Sequence, residues 1–298
     1  MKILVFGAGG QVGREVSRTP RPGSFELLTL DKSSGDITDP TAVSTVIARQ
    51  NPDLVINLAA YTAVDRAESE PELAWAINCA GAANIAAACG KTETPLIHLS
   101  TDYVFDGCKA EPYREEDAVN PLNVYGRSKE AGERAVREAA MRHVLLRTAW
   151  VYGAYGTNFV RTMLRLGTER PVLRVVADQR GCPTAATDIA SALIRIARQI
   201  HQGRAEWGTF HFAGAGSTSW YGFAEEIVEF AERFGAWRGA SRPRVEAITT
   251  DQYTSTAQRP RNSQLDCRKI EASFGISPSP WRSSLAAVVR ELVGEKSR

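Results

Sequence analysis

A chain of 298 residues, 43% hydrophobic and 23% charged, is long enough for one large or two modest domains around a substantial core, and its composition is that of an ordinary globular protein. With 36 basic and 34 acidic residues the net charge is +2, which gives no electrostatic reason to expect nucleic acid or a membrane as partner. Cys79, Cys89, Cys108, Cys182 and Cys267 are odd in number without a C-x-x-C pair, and His98, His143, His201 and His211 lack metal-ligand spacing, so neither a disulfide framework nor a zinc centre is expected. Reduced thiols in the cytoplasm fit this usage. The apolar run at residues 3–6 is too short for a secretory leader, and no apolar run reads as long enough to span a membrane.

Residues 3–6, Ile-Leu-Val-Phe, show no alternation, the pattern of a strand buried on both faces of a parallel sheet. A glycine-rich turn follows at once. Gly7, Gly10 and Gly13 fit G-x-x-G-x-x-G, and residues 11–18 read as a helix opening from it. That order suits a dinucleotide, because glycine lets backbone amides approach a pyrophosphate and the helix N-terminus favours its charge. A purely structural strand-to-helix turn is the simpler alternative. Residues 26–30 give a second strand ending at Asp31, about 20 residues past the glycine turn, where a carboxylate binds adenosine ribose hydroxyls and repels a 2′-phosphate. NADH is thereby favoured over NADPH, while Lys32 softens the choice and leaves both open. Asp36 and Ile37 are placed to pass near the adenine, and Asp39 or Thr38 to cap the next helix.

Residues 53–58 form a third buried strand, followed by Ala59, Ala60 and Tyr61 at the sheet edge where ligands bind. The Ala-rich segment 71–89 has helical periodicity, with Trp75 and Asn78 read as structural. A fourth strand at 96–99 leads to Thr101, whose hydroxyl can donate to a substrate carbonyl or simply form a turn. A helix over 124–140 then sets Tyr125 and Lys129 on one face. A free phenol titrates near ~10; a neighbouring ammonium that stabilises the phenolate suits it to protonate an oxygen whose carbon accepts hydride. Alone, the pair is more often a surface coincidence; beside the glycine turn and the strand-end threonine it converges on nicotinamide-dependent reduction. Residues 143–150 form a further strand that carries Trp150 to the same edge, with a core aromatic as the alternative.

This alternation predicts an α/β fold: a Rossmann-type doubly wound parallel sheet over residues 1–150, joined by returning segments from about 171–205, with 151–298 mostly a smaller mixed α/β substrate-binding lobe. In that lobe residues 157–166, 187–200, 219–234 and 281–293 read as helices and 171–176 as a strand, with Trp220, Phe223, Ile227 and Phe230 as core. The active site is expected in the crevice between lobes, where Arg259 and Arg261 can meet a pyrophosphate or stay ion-paired.

The blocks AYTAVD from Ala60, STDYVFDG from Ser100, NVYGRSK from Asn123, RTAWVY from Arg147, QRGCPT from Gln179 and RPRNS from Arg259 extend over most of the chain. Together with the two motifs they resemble the extended short-chain dehydrogenase/reductase family, most closely the members that reduce the 4-keto group of dTDP-4-dehydro-β-L-rhamnose in making a cell-surface polysaccharide precursor. The resemblance implies NADPH or NADH as cofactor, Tyr125 as proton donor, Lys129 holding the nicotinamide ribose and lowering the phenol, and Thr101 orienting the carbonyl. It places cofactor contacts at Gly10, Gln11, Val12, Asp31, Asp36, Ile37, Ala59, Ala60, Tyr61 and Leu99, and sugar-nucleotide contacts at Thr62, Val64, Asp102 and Trp150. Some relatives are described as magnesium-bridged dimers using glutamates on three segments. Here Glu15 and Glu291 match, but Thr187 replaces the third carboxylate, so no structural metal and a monomer or weak homodimer are expected. An epimerase or 4,6-dehydratase is a second reading, weakened because Tyr103 rather than a glutamate follows Asp102. A non-catalytic dinucleotide-binding regulatory subunit is a third, against which Thr101, Tyr125 and Lys129 argue.

Overall fold

The computed structural model describes residues 1–237 and 241–296. Six parallel strands form one sheet, ordered Gly208–His211, His143–Thr148, Leu96–Thr101, Leu54–Asn57, Lys2–Phe6 and Glu26–Leu30 from edge to edge. Successive side chains on a strand point to opposite faces, so one apolar run feeds two cores. Ile3 and Val5 pack with Val16 and with Ile189, Leu193 and Ile196 of helix Ala186–His201; Leu4 and Phe6 pack with Ile47, Ile85 and Val136 from helices on the other face. All four are fully buried, each contributing about 1.5–3 kcal/mol. This is the doubly wound sheet expected, with strand order reversing between Lys2–Phe6 and Leu54–Asn57, where a ligand crevice opens outside the carboxyl ends.

Helix Pro40–Gln50 is capped by Asp39, whose Oδ1 accepts the Thr41 and Ala42 amides at 2.9 and 3.0 Å. The second lobe surrounds Phe223, Trp281, Leu285 and Val289, supplied by helices Trp220–Arg233 and Trp281–Lys296, with helix Phe159–Glu169 against them. Here the expected return of 171–205 to the main sheet needs correcting. Strand Val172–Val176 pairs with Arg244–Ile248 in the second lobe, and the return begins at helix Ala186–His201. Arg174 is exposed in mid-strand, which a two-stranded ribbon tolerates and a covered parallel sheet does not. The return also runs further than expected, through strand Gly208–His211 to Ile270 and Phe274 of helix Arg268–Phe274.

A second correction concerns Pro71–Thr92, one helical run of 22 residues with an 18-residue window of mean hydropathy 1.3. By length and composition alone it can cross a membrane, contrary to the sequence reading; in the fold Ala82, Ile85, Ala86 and Cys89 are buried beneath the sheet. Ala76–Gly81 within it forms a π turn, a feature often found at functional sites. There the helix Val124–Ala139 approaches so closely that a Cβ at Gly132 would lie 2.1 Å from the Asn78 carbonyl oxygen. Gly132→Ala is expected to lower stability by roughly 1–3 kcal/mol in urea denaturation; an unchanged midpoint would show that the two helices separate freely.

Candidate active site

Asn123 starts the helix that carries Tyr125 and Lys129. Its Oδ1 accepts the Gly126 amide at 2.8 Å, and its Nδ2 donates to the Gln258 carbonyl, also at 2.8 Å, tying the helix start to the last quarter of the chain. A Cβ at Gly126 would lie 2.3 Å from the Tyr103 carbonyl oxygen, so glycine lets the helix press on the turn Asp102–Val104 that follows Thr101. Tyr125 consequently meets Tyr103 edge to face, with ring centroids 5.4 Å apart.

Lys129 is 2% exposed. Its Nζ donates to the Leu99 carbonyl at 2.8 Å and lies 3.4 Å from Nε2 of His98, and burial pushes the ammonium down to about 8. Tyr125 is pushed up to about 12 by burial, opposed by the neighbouring Thr101 hydroxyl. Burial thus dominates the phenol, and the Lys129 ammonium, from which the resemblance implies a lowering, is turned to Leu99 and His98. The phenol carries its proton at neutral pH, as a donor must. The imidazole of His98, expected as a hydrogen-bonded core histidine, is one, with Nδ1 3.0 Å from Asn57 Nδ2; its approach to Lys129 was not foreseen.

The same helix is bolted to the sheet by Glu133. Arg147 Nε and Nη2 donate to the two Glu133 carboxylate oxygens at 2.8 and 2.7 Å, with both side chains buried. Burial alone would raise Glu133, but the Arg147 guanidinium holds it down to about 2.

A cavity of about 1030 Å³ runs along the carboxyl ends of the strands into the second lobe. Among the expected residues Gly7, Gly10, Gln11, Val12, Gly13, Ala60, Leu99, Thr101, Tyr125 and Lys129 line it, as do Thr62, Val64, Asp102 and Trp150. A dinucleotide fits the glycine turn. Gly7 has φ of +79° and a Cβ there would sit 2.5 Å from the Ala59 amide, while one at Gly13 would sit 2.4 Å from the Gly7 carbonyl. Gly10 caps helix Gln11–Arg18 without a side chain, which leaves the amides of its first turn for an anion.

Asp31 lies instead in an adjoining cleft of about 480 Å³ with Arg14, Arg18, Ser34 and Tyr155. Hydrogen bonds from Ser33 and Ser34 hold its carboxyl down to about 2. Both guanidiniums lie 5.4 Å from the Tyr155 ring, which sets two cations in the same cleft as the Asp31 carboxylate. Four expected cofactor residues fall outside both hollows. Asp36 accepts the Thr38 amide and hydroxyl, Ile37 packs beneath Gly81 in the core, the Ala59 amide donates to Asn57, and the Tyr61 hydroxyl donates to Glu70 at 2.6 Å. Arg259 lines the cavity but is ion-paired with Asp65 at 2.6 Å; Arg261 does not line it.

Trp150 adopts φ of 47°, stacks on Trp220 with centroids 3.5 Å apart, and donates from Nε1 to the Ser263 hydroxyl at 3.0 Å. Trp220, read from sequence as core, is half-buried and lines the cavity. Asn78 was read as structural; it holds the Tyr61 main chain by two hydrogen bonds and the Ser128 hydroxyl by a third. Glu15 and Glu291 come together around Arg18, and among the described residues no group of three or more His, Cys, Asp or Glu is arranged to hold a metal ion.

A family model described as the RmlD substrate binding domain matches residues 1–293. A dTDP-4-dehydrorhamnose reductase from Aggregatibacter actinomycetemcomitans is 45% identical over 286 residues, covering 95% of this chain and 97% of that protein. The chain belongs to the dTDP-4-dehydrorhamnose reductase family. The crystal structure of a dTDP-4-dehydrorhamnose reductase from Clostridium acetobutylicum superposes with a TM-score of 0.90 at 37% identity, covering 98% of this chain and 99% of that one. That of Bacillus anthracis, in complex with NADP, gives 0.89 at 36% identity with 97% and 99% covered. Membership accounts for one cavity shared by the glycine turn, Thr101, Tyr125 and Lys129.

Removing Glu133 leaves the Arg147 guanidinium buried without its partner. Glu133→Ala is expected to cost about 3–5 kcal/mol in urea denaturation. Because the folded carboxyl is depressed, the stability it supplies is present above the unfolded carboxylate range of ~4.3 and is lost as pH falls towards about 2. A loss under 1 kcal/mol would mean that the pair does not anchor the helix.

Proposed function

We infer that this chain reduces the 4-keto group of dTDP-4-dehydro-β-L-rhamnose to dTDP-L-rhamnose, using NADPH or NADH. The observation that carries this is that Tyr125, Thr101 and Lys129 line the same cavity as the glycine turn. A nicotinamide dinucleotide, when bound, supplies the hydride to C4. The chain's own part is to hold the carbonyl at Tyr125, give its oxygen the phenol proton, and steady the developing charge with the Thr101 hydroxyl. Lys129, fixed through Leu99, is assigned to the nicotinamide ribose. Asp31 is assigned to the adenosine ribose, with Arg14 and Arg18 offsetting its charge towards a 2′-phosphate. Thr62, Val64, Asp102 and Trp150 are assigned to the sugar nucleotide, whose nucleoside end runs into the second lobe. Residues 1–150 with the returning helix thus hold the dinucleotide, and the smaller lobe holds most of the substrate. A cytoplasmic monomer or weak homodimer needing no structural metal completes the reading.

Supplying the 4-keto sugar nucleotide and following NADPH or NADH oxidation tests this directly. Tyr125→Phe is expected to lose roughly 10²-fold or more in kcat while dinucleotide binding persists; an undiminished rate removes Tyr125 from the chemistry. In fluorescence titrations Asp31→Ala is expected to weaken NADH more than NADPH, and equal weakening contradicts the ribose contact.

A further inference from the structure

Each turnover takes one proton from Tyr125, and the cavity must restore it. Two chains of hydrogen bonds lead away from the site. The first passes from Lys129 Nζ to His98 Nε2 at 3.4 Å and from His98 Nδ1 to Asn57 Nδ2 at 3.0 Å. There it closes, because Asn57 Oδ1 is taken by the Ala59 amide at 3.0 Å and both Asn57 and His98 are 1% exposed. With its oxygen so committed, Asn57 turns its amide N–H to His98 and has no proton to pass on.

The second chain is short. Tyr125 and Thr101 line the same cavity, and the Thr101 hydroxyl donates to Asp102 Oδ1 at 3.0 Å. Asp102 is 2% exposed, lines the cavity, and its Oδ2 has no hydrogen-bond partner. Among the described residues it forms no ion pair. The groups facing it include the hydroxyls of Thr101 and Ser263, the Tyr103 amide, the phenols of Tyr103 and Tyr125 and the Cys182 thiol; the Arg259 guanidinium reaches Tyr103 and is paired with Asp65. A buried carboxylate without a counter-ion and with an unpaired oxygen is costly, and taking up a proton removes the cost.

We propose that Asp102 is the proton reserve of this site, refilling Tyr125 through the Thr101 hydroxyl after each reduction. The proposal rests on the reduction inferred above. The Tyr125 O–H bond breaks as the O–H bond of the product alcohol forms. The Thr101 Oγ–H bond then breaks as the phenolate regains its proton, and the Asp102 O–H bond breaks as the Thr101 hydroxyl is restored. Asp102 is left as a carboxylate and takes a proton from water once product leaves. Burial pushes the Asp102 carboxyl up to about 7, so the reserve is filled below that pH and empties above it. Its proton reaches Tyr125 through Thr101, a role separate from the sugar-nucleotide contact assigned to it above.

Asp102→Asn preserves shape and can accept the Thr101 hydrogen bond but cannot release a proton. In the holoenzyme, kcat is expected to fall about 100-fold, a larger change than the rise in KM that the altered sugar-nucleotide contact brings. The wild-type decline of kcat as pH rises through neutrality should also vanish in the variant. A raised KM with unchanged kcat and pH profile would make Asp102 a substrate contact only and overturn the proposal. Independently of turnover, the infrared spectrum of ¹³C-aspartate-labelled wild-type protein with NADP bound should show a protonated-carboxyl band at pH 6 that disappears as pH rises. Its absence at pH 6 overturns the reserve even if Asp102→Asn fails to fold. Wild-type protein that does not turn over the 4-keto sugar nucleotide would defeat the inferred reduction instead, and the infrared band would still decide the state of Asp102.

Discussion

The site depends on keeping one helix end against one strand end, and the buried pair of Glu133 and Arg147 does this. Arg147 sits in the strand His143–Thr148 next to the one that ends in Thr101; Glu133 is one helical turn beyond Lys129. The bidentate geometry fixes both the rotation and the height of the helix, so Tyr125 and Lys129 have no freedom to leave the cavity. Two ions taken from water repay their desolvation only when geometry is this close. What the pair contributes is placement, and placement is what proton transfer between a phenol and a carbonyl requires.

Desolvation then sets the chemistry. The same burial that brings Lys129 down holds Tyr125 and Asp102 up, so each is nearer its neutral form than in water. A site of neutral acids and an easily discharged amine suits a reaction whose cofactor and substrate bring their own charge. The glycine turn complements it with partial positive charge from a helix start rather than a full cation.

Much of this was legible in the chain. Ile3 to Phe6 announced a two-faced strand because every residue is apolar, and the glycine spacing announced the turn, with Gly7 and Gly13 at positions where a Cβ would collide with backbone. Tyr125 and Lys129 were legible because helical spacing is local. The long-range pairings were not. Nothing near Trp220 distinguishes it from Phe223 beside it on an amphipathic helix; only the tertiary fold brings it to Trp150. Ile37, expected near the adenine, turns its side chain into the core beneath Gly81, a packing that only the tertiary fold reveals. Strand Val172–Val176 had the composition of a sheet strand, but its partner lies beyond residue 240. The directions of the shifts at Tyr125 and Lys129 were equally out of reach, since burial is a property of the whole fold.

The amide of Asn123 ends on the carbonyl of Gln258. Synthesis from the N-terminus therefore delivers the entire central sheet save its last strand, and the helix bearing Tyr125, well before the segment that completes the helix cap exists. A nascent chain can assemble its nucleotide platform early, yet the reacting groups gain their final bracing only when the closing quarter arrives, which couples competence for chemistry to completion of the polypeptide.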